Sequence, residues 1–411
     1  MPLEIPRLSW RSLWRNRRRT LITVASIALG LGLAVFFESL ADGMYTKLAS
    51  DAARMQAGDV TVQHRDYLEA PSVDLYVEDA VTMRRQLEAL PEVEAVKLLV
   101  QAQGIARSSA GAVGVAFVGV DTELETRTSP IARKVVEGRY LTAEDEGRVV
   151  IGTKLAERLK LEVGKKLVLS SNDADGNLVE QLFRVVGIFA TGSDQIDAYL
   201  VQVRAPELAA LLQLPEGAAT QVGVLLHEPQ HLEEALPSIA AGVGGSARAY
   251  SWEQIMPELA NYIRVDHGSM KVTNWILIFL VLFTILNTVM MSVLEREREF
   301  AILLAIGTPP GRIATQVAVE TFFTGLVGCA TGVALGVAGG YYVQVNGWDL
   351  TSLYATEDVE VGGFAIDMVL YAKVNASTVL RQAAMVLAAT MLTSIPGVWR
   401  LSHIDLTARM R

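Results

Sequence analysis

The chain has 411 residues and a formal net charge of −9, with 51% of its residues hydrophobic and only 20% charged. That balance excludes an ordinary soluble enzyme, yet four membrane crossings of ~20 residues each would leave most of the chain over. The composition therefore describes a membrane protein with a substantial soluble domain. A single cysteine, Cys329, excludes an intrachain disulfide and a thiolate zinc cluster, so that domain must fold on its own core.

At the N-terminal end Trp10, Leu13, Trp14 and Arg17 recur at helical spacing with arginines interleaved, which predicts a helix lying in the headgroup layer over 1–19. Four charge-free runs follow, Thr20–Phe37, Val272–Leu294, Thr321–Trp348 and Gln382–Trp399. An ion at the bilayer centre costs at least ~2.5 kcal/mol, so such gaps mark crossings. They predict TM1 over 20–44, TM2 over 269–294, TM3 over 313–345 and TM4 over 378–399. Ser39-Leu40-Ala41 would also pass as a cleavage site, so a signal peptide competes for the first run, but that run exceeds the usual apolar region.

Basic residues set the orientation. Arg7, Arg11, Arg15 and Arg17–Arg19 precede TM1, Arg296, Arg298 and Arg312 lie between TM2 and TM3, and Arg400, Arg409 and Arg411 follow TM4. All of these face the cytoplasm, as does a tail over 400–411. The stretch 45–268 then lies outside, together with a loop over 346–377 in which Asp349, Glu357, Asp358, Glu360 and Asp367 meet only Lys373. Residues 47–270 hold 21 Lys and Arg against 32 Asp and Glu, which disfavours nucleic acid and favours a basic protein face.

Within that domain Asp59–Gln63, Val93–Gln101, Val113–Val120, Lys166–Ser170 and Val179–Ile188 read as strands. Met83–Leu90, Thr153–Leu159 and Ala205–Leu212 read as helices, which makes the domain α+β. Asp173, Asp175, Asn177 and Glu180 resemble a calcium loop, but Gly176 falls at its fourth position and Asp175-Gly176 suits a hairpin turn. No nucleotide-binding loop is present, since Gly164-Lys165-Lys166 lacks the upstream glycine and is followed by Leu167.

TM3 carries Gly328, Gly332, Gly336 and Gly340 at a spacing of four, and TM1 a weaker row in Ser26, Gly30 and Ala34. Such rows let backbones approach closely, either as a seam for a dimer or a moving helix, or as packing within the chain. Asn287 and Thr288 in TM2 are polar at depth, which a helix–helix hydrogen bond would satisfy.

The segment 295–312 passes from charged Glu295-Arg296-Glu297-Arg298-Glu299 into apolar Phe300-Ala301-Ile302-Leu303-Leu304-Ala305-Ile306, then stops at Gly307 with Pro309 behind it. A short apolar helix in the cytoplasm needs a partner groove or a membrane surface. With Met291-Ser292-Val293-Leu294 before it and Glu320 ahead of the Gly-rich helix, it resembles TM2, the coupling helix and TM3 of the MacB/FtsX-like permeases of ABC transporters, in particular their lipoprotein-releasing LolC/LolE branch. Trp10–Asn16 with Arg18-Arg19-Thr20 is similar to that family's N-terminal signature. Val118–Asp121, Glu137–Leu141, Ile151-Gly152 with Leu155-Ala156, and Phe183–Phe189 are similar to its periplasmic core, while the tail from Leu401 to Arg409 lacks the usual proline.

The resemblance implies an α-helical inner-membrane protein with four TM helices and an α+β periplasmic domain between TM1 and TM2. It implies a non-enzymatic permease half, homo- or heterodimeric, acting with a separate cytoplasmic ATPase dimer that carries the ATP and magnesium. No cofactor or metal is expected in this chain. Glu299, Phe300, Ile302, Leu303, Leu304, Ile306 and Gly307 would meet the ATPase. The expected work is extraction of lipoprotein from the membrane lipids to a periplasmic carrier. MacB-like export of a peptide or drug and FtsX-like mechanotransmission to an extracytoplasmic enzyme are the alternatives.

Overall fold

The computed structural model describes residues 17–350, 360–361, 364–365 and 369–396. The headgroup helix with Trp10, Leu13 and Trp14 lies outside the described residues except at 17–19. Trp399 and the tail over 400–411 also lie outside them.

Two compact units are present, one of residues 1–45, 265–353 and 368–411, the other of residues 46–264 and 354–367. The described residues 360–361 and 364–365, read from sequence as part of a separate loop, thus group with the α+β unit.

Four helices are long and apolar enough to cross a membrane: Arg17–Met55, Pro257–Glu295, Pro310–Asn346 and Ala376–Pro396. They coincide in order with TM1 to TM4, residues 397–399 of TM4 lying outside the described residues. The first two have 39 residues each and outrun their apolar runs, because no proline lies between Phe37 and Met55 or between Pro257 and Val272.

In the α+β unit ten strands form one sheet: β1 Val60–His64, β2 Val93–Arg107, β3 Ala112–Val120, β4 Val135–Gly138, β5 Arg148–Gly152, β6 Lys166–Asn172, β7 Leu178–Phe189, β8 Leu200–Arg204, β9 Gln221–Leu226 and β10 Ala247–Ser251. The order is β10-β1-β9-β2-β3-β8-β5-β7-β4, and β6 pairs off that path with β2 and β7. Most pairs are antiparallel; β3 with β8 and β5 with β7 are parallel.

Strand β2 joins two cores. Its first half pairs with β9 from Val93 to Leu99, and its second half pairs with β3 from Val100 to Arg107. Around β1 and β9, Val60, Val62, Val96, Val222 and Val224 pack with Leu87 and Ile239 of the helices Ala80–Glu88 and Leu232–Ala241. Around β3, β5 and β7, Phe117, Ile151 and Phe183 pack with Leu155 and Leu208 of the helices Thr153–Leu159 and Ala205–Leu211. The turn at Asp175-Gly176 closes the β6–β7 hairpin, with Gly176 at φ +85° and the Asp173 carboxylate accepting from the backbone amides of Asp175 and Asn177.

The sheet contains a charge that its sequence pattern hides. Lys97, 2% exposed, donates from Nζ to Glu125 Oε2 at 2.8 Å and to the Arg54 carbonyl at 2.9 Å. Gln202 Nε2 approaches the other Glu125 oxygen at 3.4 Å, and Tyr140 donates its hydroxyl to Gln202 Oε1 at 2.7 Å. Burial, with the Glu125 charge nearby, pushes the Tyr140 hydroxyl well above its ordinary pKa.

In the same segment Arg139 forks onto Asp145, at 2.5 and 2.7 Å, and the Thr142 amide and hydroxyl donate to the same carboxylate at 2.8 Å each. The Arg139 hydrogen bonds foremost hold the Asp145 carboxyl far below the usual range. The motif Glu137–Leu141 is therefore structural: it staples the β4–β5 connection. Opposite it, a Cβ at Gly187 would sit 2.2 Å from the Arg139 carbonyl oxygen, so only glycine fits there.

Two predictions follow from these groups. Lys97→Met strands the Glu125 carboxylate in the interior and should cost about 3–5 kcal/mol, while Lys97→Met combined with Glu125→Leu should recover most of it; thermal unfolding of the detergent-solubilised protein reads both. For Asp145 the folded pKa is depressed, so its contribution is complete above the unfolded value of ~3.9 and fades as pH falls towards the folded one. Asp145→Asn should remove that contribution at neutral pH and flatten the acid limb of the stability curve.

Candidate coupling and packing sites

The helix containing TM2 ends at Glu295, and a second helix, Glu297–Ala305, starts after Arg296, whose φ of −101° breaks the first. Gly307 at φ +91° stops it: the Gly307 amide donates to the Leu304 carbonyl at 3.1 Å and the Thr308 amide to the Leu303 carbonyl at 3.0 Å. This pair of bonds is a Schellman cap, and the left-handed residue it needs is why glycine stands there. Pro309 and Pro310 then open the TM3 helix, where a missing N–H costs nothing.

The short helix has two faces. Phe300 is 1% exposed and packs with Val293, Ile313 and Val317, and Leu303 and Leu304 lie half-buried against the same cluster. Ile302 and Ile306 are 63% and 74% exposed. Glu299, Ala305 and Gly307 are exposed too. Of the residues expected to meet an ATPase, Phe300, Leu303 and Leu304 thus anchor the helix to its own chain, and Ile302 and Ile306 stay exposed among the described residues.

Arg296 fixes the anchor. Its guanidinium reaches Glu320 of TM3 at 2.8 Å and Glu299 at 3.2 Å, and lies 5.0 Å from the centre of the Phe300 ring. Arg296 and Glu320 are each 14% exposed, so this is no loose surface pair. Beside it Arg19 of TM1 reaches Glu295 at 2.6 Å and Ser292 Oγ at 2.8 Å. One polar cluster therefore ties TM1, TM2, TM3 and the short helix together. At the opposite end of the bundle Glu38 of TM1 accepts from Arg381 of TM4 and Asn274 of TM2, both at 3.0 Å.

Between those clasps the TM3 glycines lie against TM1. A Cβ at Gly328 would fall 2.7 Å from the Ile27 side chain, at Gly332 3.0 Å from the Ala28 carbonyl and Leu31 Cβ, and at Gly336 2.8 Å from the Gly32 carbonyl and Val35 Cβ. Gly340 continues the row against Val374 at 3.0 Å. Here the row serves packing within the chain.

Its partner on TM1 is the row Ala28, Leu31, Gly32 and Val35 rather than Ser26, Gly30 and Ala34. Gly30 faces TM2, where an added Cβ would meet Val281 Cγ2 at 2.2 Å. Ala34 is buried, and the Ser26 hydroxyl donates to the Ile22 carbonyl of its own helix. Thr288 likewise bonds its own helix, at the Thr284 carbonyl, in place of the expected bond between helices. Sequence reasoning passed over Gln382, which is 1% exposed in TM4 with no partner for either side-chain polar atom among the described residues. Its place at the start of a charge-free run was the available signal.

Gly336→Leu places a branched side chain where two backbones meet and should destabilise the bundle by about 1–3 kcal/mol or more. Gly336→Ala should already be felt, since its Cβ meets a carbonyl oxygen that cannot swing aside. A disulfide engineered across TM1 and TM3 should form less readily in both variants, with membrane insertion unchanged.

Known families match the chain in two parts, the first of which joins TM1 to most of the α+β unit. The family model of the MacB-like periplasmic core domain matches residues 20–241, and that of the FtsX-like permease C-terminal region matches residues 272–406. The lipoprotein-releasing system transmembrane protein LolC of Xylella fastidiosa strain Temecula1 is 24% identical over 334 residues, 79% of this chain and 78% of that one. LolC of Neisseria meningitidis serogroup B is 23% identical, over 79% and 77%. The pyoverdine export ATP-binding/permease protein PvdT of Pseudomonas savastanoi pv. phaseolicola is 24% identical over 82% of this chain but 52% of its own length. Among solved structures, the periplasmic region of MacB from Actinobacillus actinomycetemcomitans covers 52% of this chain and 98% of its own, at 12% identity and a TM-score of 0.36. With one family model spanning more than half of its length and a second covering the rest of the membrane region, the chain belongs to the MacB/FtsX-like family of ABC transporter permeases.

Proposed function

We propose that this chain is the permease half of a transporter that releases lipoproteins from the inner membrane, driven by a separate ATPase. The observation that carries the coupling is the split short helix: Phe300 and Arg296 lock it to TM2 and TM3, while Ile302 and Ile306 present an apolar edge left uncovered among the described residues. A helix held in this way moves with the bundle when a partner presses on it. The LolC names of relatives that match along more than three quarters of their length support lipoprotein release as the work done.

In this reading the ATPase dimer, with its own ATP and magnesium, closes and pushes on the edge at Ile302 and Ile306. The push reaches TM3 through Glu320 and TM1 through Arg19, and the two segments flanking the α+β unit in the chain, TM1 and TM2, pass it on. A second permease half completes the pair. The α+β unit stands in the periplasm with both termini in the cytoplasm, and lipoprotein leaves the membrane lipids for a periplasmic carrier.

Ile302→Glu should uncouple the complex without harm to the fold, since its side chain touches little of its own chain; lipoprotein release from membrane vesicles should fall at least about tenfold. Leu303→Glu strikes the anchor and should lower permease stability as well. Full release by Ile302→Glu would overturn the coupling assignment. Stimulation of the ATPase by a purified cell-wall hydrolase rather than by lipoprotein would replace extraction by mechanotransmission. For topology, a cysteine at Asn177 should react with an impermeant thiol reagent from the periplasmic side, and reaction only after lysis would reverse the orientation.

A further inference from the structure

The α+β unit has a groove of ≈ 430 Å³ across the middle of its sheet, inside the range of about 300–1,000 Å³ that ligand pockets occupy. Cross-strand partners build its floor. Gln221 of β9 stands opposite Leu99 of β2, Gln101 of β2 opposite Val118 of β3, and Ala116 of β3 opposite Leu200 of β8. These side chains share one face, because directly paired residues in a sheet point the same way. The walls come from the segments Gln195–Tyr199 and Ile255–Leu259, and from Met55, Gln56 and Phe364.

The chemistry of the lining is unusual in one respect: among the described residues it combines apolar surface with four glutamines and a single charge, Glu258. Among the described residues no cation lines it, so a phosphate or an anionic headgroup finds no counter-charge there. A bare acyl chain would cover the four amides without pairing them, which is costly for groups that each bring two donors and an acceptor oxygen. The amides of Gln56, Gln101 and Gln195 have no side-chain hydrogen bond among the described residues. Gln221 is held from the side by its cross-strand partner on β1, donating Nε2 to Gln63 Oε1 at 2.8 Å, which leaves its own oxygen for the groove. Gln63 is 1% exposed, and its Nε2 has no partner among the described residues. The ligand that matches an amide in both donor and acceptor, and brings apolar side chains beside it, is a peptide.

We propose that this groove binds an extended, uncharged stretch of polypeptide, its peptide groups pairing with Gln101 and Gln221 and its apolar side chains resting on Val118 and Tyr199. The inference deepens the reading above, and rests on it only in assigning that stretch to the cargo.

The test uses the full chain in phosphatidylcholine nanodiscs without the ATPase. The probe is a fluorescent, end-blocked peptide of alternating leucine and serine, followed by polarisation. Saturable binding is expected, displaced by the unlabelled peptide but not by lauric acid or by the same peptide with glutamate replacing serine. Val118→Trp, which fills the groove, and Gln101→Leu, which removes an amide, should each weaken binding about tenfold or more, and Gln101→Asn should fall between. A benzophenone-bearing version of the peptide should label residues of β2, β3 or the Gln195–Tyr199 segment in the unmutated protein, which guards against a variant that misfolds. Absence of saturable binding, displacement by lauric acid, or labelling elsewhere overturns the proposal. Peptide binding with no lipoprotein release in the assembled transporter would instead sink the functional reading and leave the groove standing.

Discussion

The membrane unit depends on the close approach of TM3 to TM1. Lipid supplies no hydrophobic force between helices, so the bundle is held by the surface that two backbones can bring into contact. Gly332 and Gly336 lie against Ala28, Leu31, Gly32 and Val35 with no room for a Cβ. Charges are then kept to the two ends of the bundle, Arg19 with Glu295 and Arg296 with Glu320 at one, Arg381 with Glu38 at the other. There each pair can fix the helices without an ion at the bilayer centre.

The short helix inherits its role from that arrangement. Its apolar residues cannot all face one way, because successive positions in a helix are about 100° apart. Phe300, Leu303 and Leu304 take the side that completes the core between TM2 and TM3, and Ile302 and Ile306 are left on the other. A segment that is apolar all round therefore becomes an anchored helix with one apolar edge exposed among the described residues. The guanidinium of Arg296, clamped by Glu320 and stacked near Phe300, makes the anchor directional as well as tight.

The α+β unit solves a different problem, that of joining two cores through one long strand. The ion pair of Lys97 with Glu125 lies where β2 passes from one pairing set to the other, with the Arg54 carbonyl and Gln202 completing its hydrogen bonds. A buried pair of this kind adds little net stability over an apolar substitute, yet it penalises any packing that separates its members. It thereby favours one register of the helix Thr122–Thr128 on the sheet.

Much of this was legible in the residues. Charge gaps exposed four long apolar segments, because the cost of an ion in lipid acts on sequence directly. Strands β1, β2, β3, β6 and β7 and the turn at Asp175-Gly176 announced themselves by β-branched residues and turn chemistry. Strand β9 did not: all six of its residues are buried, so it shows no alternation to read, and β4 is too short to show any. The family likeness carried by Glu295–Gly307 and by the motifs of the α+β domain was also present in the chain itself.

What only the tertiary structure decided was which small residues face which, which face of the short helix is free, and which polar groups are inside. The glycine row of TM3 is a property of one helix, but its partner depends on the rotation of another about its own axis, and that rotation chose Gly32 over Gly30. Lys97 reads as a strand's solvent residue until Glu125, 28 positions later, arrives to neutralise it. Local propensity acts over a few residues and marks elements. Pairing at a distance is set by packing of the whole unit, where each contact depends on all the others.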